Sequence, residues 1–245
     1  MRPHDLPRRT GARTAAWLVL ATVGAYACGD NLLLPPTSGG GTGGGSVTLA
    51  AVAGDGQQGT VGQPLADSLV VRVLGSGGAP LASRRVAFVV SSSAGALAPD
   101  TAETDAEGRA SARWVLGTIA GSQTAVARVV GTTAAPASFA AEALPAAANA
   151  ITAVGGDNQR GDQGSTLADP LVVRVTDRFG NPVAGVDVSW RVTRGGGSVS
   201  EARGTTGADG LASVRWTLGD SGRQQATATV SRLSGSPVQF DASIS

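Results

Sequence analysis

The chain has 245 residues and a formal net charge of +1, from 19 basic and 18 acidic residues, and the basic residues are all Arg because Lys is absent. That length holds one large domain or two small ones. Arg2, Arg8, Arg9 and Arg13 fall in the first 27 positions against the single acid Asp5, which leaves 15 Arg and 17 acids beyond them and no basic stripe of the kind nucleic acid requires.

Residues 1–27 have the layout of a secretory signal: a basic stretch up to Arg13, the apolar run "AAWLVLATVGAYA" from Ala15 to Ala27, and small residues at the end. An apolar run of about 13 residues is shorter than the roughly 20 a membrane-spanning helix needs, so removal of the segment is expected. Two readings of the next residue stay open. "AYA" before Cys28 satisfies the ordinary signal-peptidase rule and would leave a secreted protein with an incidental N-terminal Cys. A Cys at the cleavage point also resembles the lipobox of bacterial lipoproteins, although Ala25 and the bulky Tyr26 depart from that pattern. Cys28 is the only cysteine in the chain, so an exported protein offers it no internal disulfide partner, and lipidation of Cys28 gives it a purpose. The Arg8-Arg9 pair lacks the apolar residues that would follow it in a twin-arginine signal. Residues 28–46, including "GDNLLLPPTSGGGTGGGS", read as a flexible tether. The expected address is the cell surface or outer membrane as a lipoprotein, and otherwise the secreted fraction.

The rest of the chain says nearly the same thing twice. "AEGRASARWVLG" (Ala106 to Gly117) returns as "ADGLASVRWTLG" (Ala208 to Gly219), and a shift of 102 aligns Ala51–Gly117 with Ala153–Gly219 without a gap. After Gly121 the offset becomes 101, which pairs Phe139 with Phe240. The expected units are residues 47–143 and 151–245, joined by a linker at 144–150. Within each, apolar residues alternate with period two: Leu171, Val173 and Val175; Val186, Val188, Trp190 and Val192; Ala212, Val214, Trp216 and Leu218; Ala226, Ala228 and Val230; Val238, Phe240 and Ala242. Alternation predicts strands with one buried face, and turns rich in Gly, Asn, Asp and Pro separate them. The fold class is all-β, two tandem immunoglobulin-like antiparallel β-sandwiches. Parity also splits each Arg-Trp pair: Trp114 and Trp216 point inward, Arg113 and Arg215 outward.

"VTDRFGNPVAGVDVSW" (Val175 to Trp190), "GGGSVS", "TTGADGLASVRWTLG" and the terminal "VQFDA" resemble the bacterial immunoglobulin-like domain, group 1, found as repeats in the intimin and invasin family. The resemblance covers nearly all of the second copy. The first keeps Gly78, Pro80, Val86 and Phe88 but has Gly75 and Ala79 where the second has Asp177 and Asn181, so its loop is expected to be less well fixed. The resemblance implies a cysteine-free rod segment on a bacterial surface, often in an adhesin. The membrane barrel and receptor-binding tip of intimin-like proteins have no counterpart in this sequence.

Beyond the signal, which holds His4, the sequence contains no His or Lys. Serine and cysteine triads, Schiff-base lysines and His- or Cys-built zinc sites are excluded, and no glycine-rich run between strand and helix forms a phosphate loop. Carboxylates remain, but Asp55, Asp157, Asp105, Glu107 and Asp209 sit in turns instead of the paired arrangement of a glycosidase. Asp177, Asn181 and Asp209 could converge on calcium at one end of a sandwich, yet no spacing resembles a calcium loop. Of the seven Trp and Phe beyond the signal, Trp114, Trp216, Phe88, Trp190, Phe139 and Phe240 have inward parity and only Phe179 stands in a turn, so no aromatic platform for sugars is expected. No catalytic residue, cofactor or metal is predicted, and the expected state is a monomer. The function expected is a non-enzymatic cell-surface stalk or adhesion module, anchored in the membrane through Cys28, whose protein or cell-surface partner the sequence leaves open. The alternative is an accessory module that docks a specific protein through loops or a sheet edge.

Overall fold

A computed structural model describes residues 46–220 and 222–245; the signal, Cys28 and the tether up to residue 45 lie outside the described residues. Alternating side chains produce strands almost throughout. The first copy contains β1 (Thr48–Ala53), β2 (Gln57–Thr60), β3 (Leu69–Leu74), β4 (Arg85–Val90), β5 (Ala96–Ala98), β6 (Thr101–Glu103), β7 (Arg109–Val115), β8 (Gly121–Val129) and β9 (Ala137–Leu144). The second contains β10 (Ala148–Gly155), β11 (Gln159–Gly161), β12 (Leu171–Asp177), β13 (Asp187–Arg194), β14 (Gly197–Val199), β15 (Arg203–Thr205), β16 (Leu211–Val214), β17 (Trp216–Leu218), β18 (Arg223–Thr229) and β19 (Val238–Ile244).

Each copy is two sheets face to face. In the first, the order β1-β3-β7-β5 faces β2-β9-β8-β4-β6. In the second, β10-β12-β16 and the β14-β17 pair face β11-β19-β18-β13-β15. The N-terminal strand changes sheets in both copies: β1 pairs antiparallel with β3, and the chain then crosses so that β2 runs parallel to β9. β10 and β11 repeat the manoeuvre against β12 and β19. Only the three residues Pro145–Ala147 separate the last strand of one copy from the first of the next, a tighter connection than the expected 144–150.

Burial follows parity. Leu69, Val71 and Val73, then Ala110, Ala112 and Trp114, alternate with exposed or half-buried neighbours, and both Trp114 and Trp216 are completely buried. Arg113 and Arg215 are exposed. Two separate cores result, one built around Trp114, Phe88 and Phe139 and one around Trp216, Trp190 and Phe240. The turn before the Trp strand explains the "EG" and "DG" of the repeated phrase. Gly108 and Gly210 take φ of +74° and +71°, and a Cβ there would stand 2.5 and 2.6 Å from the carbonyl oxygens of Val73 and Val175. Asp105 and Asp209 fix the same turn by accepting backbone N–H bonds, from Glu107 and Arg109 and from Leu211 respectively.

The copies differ instructively in the core. Phe88 is replaced by Trp190, and its neighbour Ala102 by Gly204, so a larger ring is matched by a smaller strand residue. The exchange leaves the Trp190 Nε1–H buried without a hydrogen-bond partner. Trp216 Nε1–H is likewise unpartnered, whereas its counterpart Trp114 donates to the Ala94 carbonyl at 2.8 Å. A buried donor left unsatisfied costs about 1–3 kcal/mol. Thermal melts should therefore rank three variants. Trp190→Phe combined with Gly204→Ala, which restores the first copy's pair, should hold or raise the midpoint of the second sandwich. Trp216→Ala should cost about 3–5 kcal/mol. Arg215→Ala should leave the midpoint within experimental error, and a larger loss for Arg215 than for Trp216 would contradict the strand register.

Candidate functional site: the junction between the sandwiches

The turn that ends β12, "DRFGN" from Asp177 to Asn181, brings a densely hydrogen-bonded polar cluster to the point where the two sandwiches meet. Its backbone closes on itself: Asp177 N–H donates to the Asn181 carbonyl at 2.9 Å and Gly180 N–H to the Asp177 carbonyl at 3.1 Å. Gly180 supplies φ of +89°, which a side chain would resist. Asp177 Oδ1 accepts from the backbone N–H groups of Phe179 (2.8 Å) and Asn181 (2.9 Å), the side-chain-to-backbone pattern for which Asp is favoured in turns.

The remaining polar atoms reach out of the turn into the preceding copy. Asp177 Oδ2 accepts from Asn181 Nδ2 and from the backbone N–H of Ala146 in the linker, both at 2.9 Å. Asn181 Nδ2 also donates to the Thr118 carbonyl at 2.8 Å, and its Oδ1 accepts from Ala120 N–H at 2.9 Å. Thr118 and Ala120 belong to the loop between β7 and β8 of the first sandwich. Asp177 is 2% and Asn181 8% exposed, and both Asn amide protons and all four bonds the carboxylate readily accepts are used. Phe179, 38% exposed, lies over Gly62 of the first sandwich, where an added Cβ would stand 3.3 Å from the ring. The Arg178 guanidinium covers the ring's other approach, 4.5 Å from its centroid.

Burial alone would push the Asp177 carboxyl up. The hydrogen bonds from Asn181 Nδ2 and from the Ala146, Asn181 and Phe179 amides overcome that and hold it below the ordinary carboxylate range. The negative charge is therefore a structural component of the junction at every physiological pH.

Most of the carboxylates singled out in the sequence hold backbone N–H groups, whereas Glu107 contributes only its backbone N–H and carbonyl. Asp177 and Asn181 do come together, with the carboxylate taken up by N–H donors, while Asp209 caps the turn at Leu211. Asp55 accepts from Ala140 N–H, and Asp157 from Asn158 and Asp241 N–H, tying the turn after β1 or β10 to the last strand of its own copy. The aromatic and arginine expectations are met by the burial already described. Cys28 lies outside the described residues. What the sequence did not reveal is that Asp177 and Asn181 grip the other copy. The signal available was the contrast with Gly75 and Ala79. Those residues form the same backbone turn, with Gly75 N–H bonded to the Ala79 carbonyl at 2.8 Å and Gly78 at φ +80°, but have no side chains to reach beyond it.

Fold and junction together define a tandem immunoglobulin-like protein with a fixed seam between its copies. Residues 164–242 match the family described as the bacterial Ig-like domain (group 1). No curated protein matches the chain significantly. Among solved structures, the chain is similar to the D0-D1 domain of intimin, at 20% identity over 79% of this chain and 94% of that one, with a TM-score of 0.31. It is similar to the adhesin InvE of Yersinia pseudotuberculosis, at 19% identity over 81% of this chain and 58% of that one, with a TM-score of 0.37. It is also similar to the Escherichia coli adhesin FdeC, at 16% identity over 80% and 64%, with a TM-score of 0.44. The chain thus spans less than two thirds of the last two.

Removing the Asn181 side chain leaves the Thr118 carbonyl and Ala120 N–H without their partner, a loss of about 1–3 kcal/mol of docking. Residual dipolar couplings should fit a single alignment tensor for both sandwiches in the wild type and two tensors in Asn181→Ala. Because the folded Asp177 pKa lies below its unfolded value of 3.8, its contribution is fully present above that value and fades as pH falls through the lower, folded pKa. The same measurement should therefore show the wild-type junction unchanged from neutrality down to about pH 4, then loosening in stronger acid.

Proposed function

We propose that the chain is a non-enzymatic stalk or adhesion module of the bacterial cell surface, held by a lipid on Cys28. The observation that carries this reading is the junction. Three hydrogen bonds from Asp177 and Asn181 to groups of the first sandwich and its linker convert two sandwiches into one stiff unit. Such stiffness serves a spacer that must hold a surface away from its attachment point, and serves no reaction. The family match of residues 164–242 supports the same direction. Asp55, Asp105, Asp157 and Asp209 are engaged by backbone N–H groups in turns, and the burial and bonding of Asp177 maintain it as a charged acceptor, the opposite of the raised pKa a general acid needs.

Growth of cells expressing the wild type or Cys28→Ser in labelled palmitate tests the anchor. Label should enter the wild-type chain alone, and equal label in both would remove the lipid from the proposal. Antibody staining of intact cells tests the address separately: the wild type should stain and the Cys28→Ser chain should appear in the medium.

A further inference from the structure

We propose that the outer face of the second sandwich carries a binding site for an acidic glycan, seated between Arg160 and Arg223. The inference goes beyond the stalk reading and does not depend on how the chain is anchored.

Strand register creates the site. Arg160 on β11 is opposite Ser243 on β19, and Ser243 is in turn opposite Arg223 on β18. Residues directly opposite one another share a face of the sheet, so the row Arg-Ser-Arg stands on one side with the short serine between the two long side chains. With adjacent strands about 4.8 Å apart, the two arginine Cα atoms are roughly 10 Å apart, a span that two guanidinium groups can close around one carboxylate. Arg160 is exposed and has no hydrogen-bond or ion-pair partner among the described residues. Arg223 approaches Asp241 Oδ1 at 3.7 Å while its side chain remains 64% exposed. Asp241 is held by Gln225 Nε2 at 3.3 Å and Gln239 Nε2 at 3.2 Å, so a fixed acceptor for hydroxyl groups stands beside the cationic row. Arg160, Arg223, Asp241 and Ser243 line an open groove of about 440 Å³, within the range of small-ligand sites.

The first copy shows what the groove looks like without this chemistry. Its equivalent groove, about 300 Å³, is lined by Gly56, Gln57, Gln58, Ser122, Ala140, Ala141 and Glu142, the positional counterparts of the residues that line the second. There the row reads Gln58-Glu142-Ser122. The parts that build the fold are the same in both: Gln57 and Gln159 each bridge from the second strand to the loop before the third, accepting from the N–H of Asp67 or Asp169 and donating to its carbonyl. The row itself has changed from one negative charge to two positive ones. A purely structural groove requires neither arginine.

The chemistry favours a glycan over a protein partner. Ala242 is the only aliphatic residue in the lining, and protein interfaces draw their energy from buried aromatic and aliphatic anchors. The groove offers instead guanidinium forks matched to carboxylates and a serine and a carboxylate suited to sugar hydroxyls. Recognition by charge and hydrogen bonding needs no aromatic platform.

Titration of the full chain with trigalacturonate at low ionic strength, followed by amide chemical shifts, tests the proposal. Saturable shifts should centre on Arg160, Ser243 and Arg223. Arg160→Gln or Arg223→Gln should weaken binding by about tenfold, the value of one charge-assisted contact, and the double variant should abolish it while melting like the wild type. Neutral trigalactose should not bind. Absence of saturable binding to the wild type, binding that survives the double substitution, shifts centred on the Gln58 groove of the first copy, or equal affinity for triglutamate would each overturn the assignment.

Discussion

Each sandwich depends first on the alternation of side chains across its core strands, with no covalent link between the facing sheets. The chain's single cysteine is Cys28, so no disulfide links the facing sheets, and each sandwich must be held by what its inner faces bury. Those faces mix large residues with small ones, among them Ala125, Ala127 and Ala141 in the first core and Ala226, Ala228 and Ala242 in the second. Small residues bring the sheets close but bury little area. The large aromatics compensate, with Trp114 or Trp216 lying across each core among alanines and valines. A one-residue slip in either Trp strand would exchange tryptophan for arginine on the inside, which makes the register strongly specified even without a cross-link.

The duplication supplies an internal control on which features are structural. Shared features are those the fold demands: the positive-φ glycine before the Trp strand, the Gln57 and Gln159 bridges, and the buried Gln123 and Gln224. Gln123 accepts from Gly117 N–H at 2.9 Å and Gln224 from Gly219 N–H at 3.0 Å, so each satisfies a backbone donor where the Trp strand leaves the sheet. A buried amide is expensive unless its partners are present, and both copies keep the partners. Features that differ fall into two kinds. Phe88 against Trp190 is a compensated exchange of volume inside the core. Gly75 and Ala79 against Asp177 and Asn181 change chemistry at the buried junction, and Glu142 against Ser243 changes it on the outer sheet face, with the backbone left alone.

Alternation made most of the fold legible from sequence, because period two is a local property and inward residues such as Val188, Trp190 and Phe240 announce themselves. The sheet order was not local in this way: that β2 leaves β1 to run parallel with β9 cannot be read from Gln57–Thr60, a four-residue strand with no apolar side chain. The interruption between β16 and β17 at Arg215 was also invisible in "LASVRWTL", which reads as one strand. The junction escaped for a different reason. Asp177 and Asn181 were recognisable as turn residues, but their partners are the Thr118 carbonyl and the Ala120 and Ala146 amides, and backbone groups leave no mark on a sequence. The Arg160-Ser243-Arg223 row combines both difficulties, since its members are separated by up to 83 positions and meet only through the register of three strands.

The asymmetry of the turn has a physical logic once its partners are known. A buried carboxylate and a buried amide are stable at the end of β12 only because a loop and a linker from a preceding sandwich complete their hydrogen bonds; without those partners the same side chains would face water and add nothing to docking. The first copy follows the Gly-rich residues 37–46 in the sequence, and its turn carries Gly75 and Ala79. The pair is thus a property of the seam and not of the domain. In a chain of such domains, the residues at these two positions would determine which joints are stiff and which are free, independently of the cores on either side.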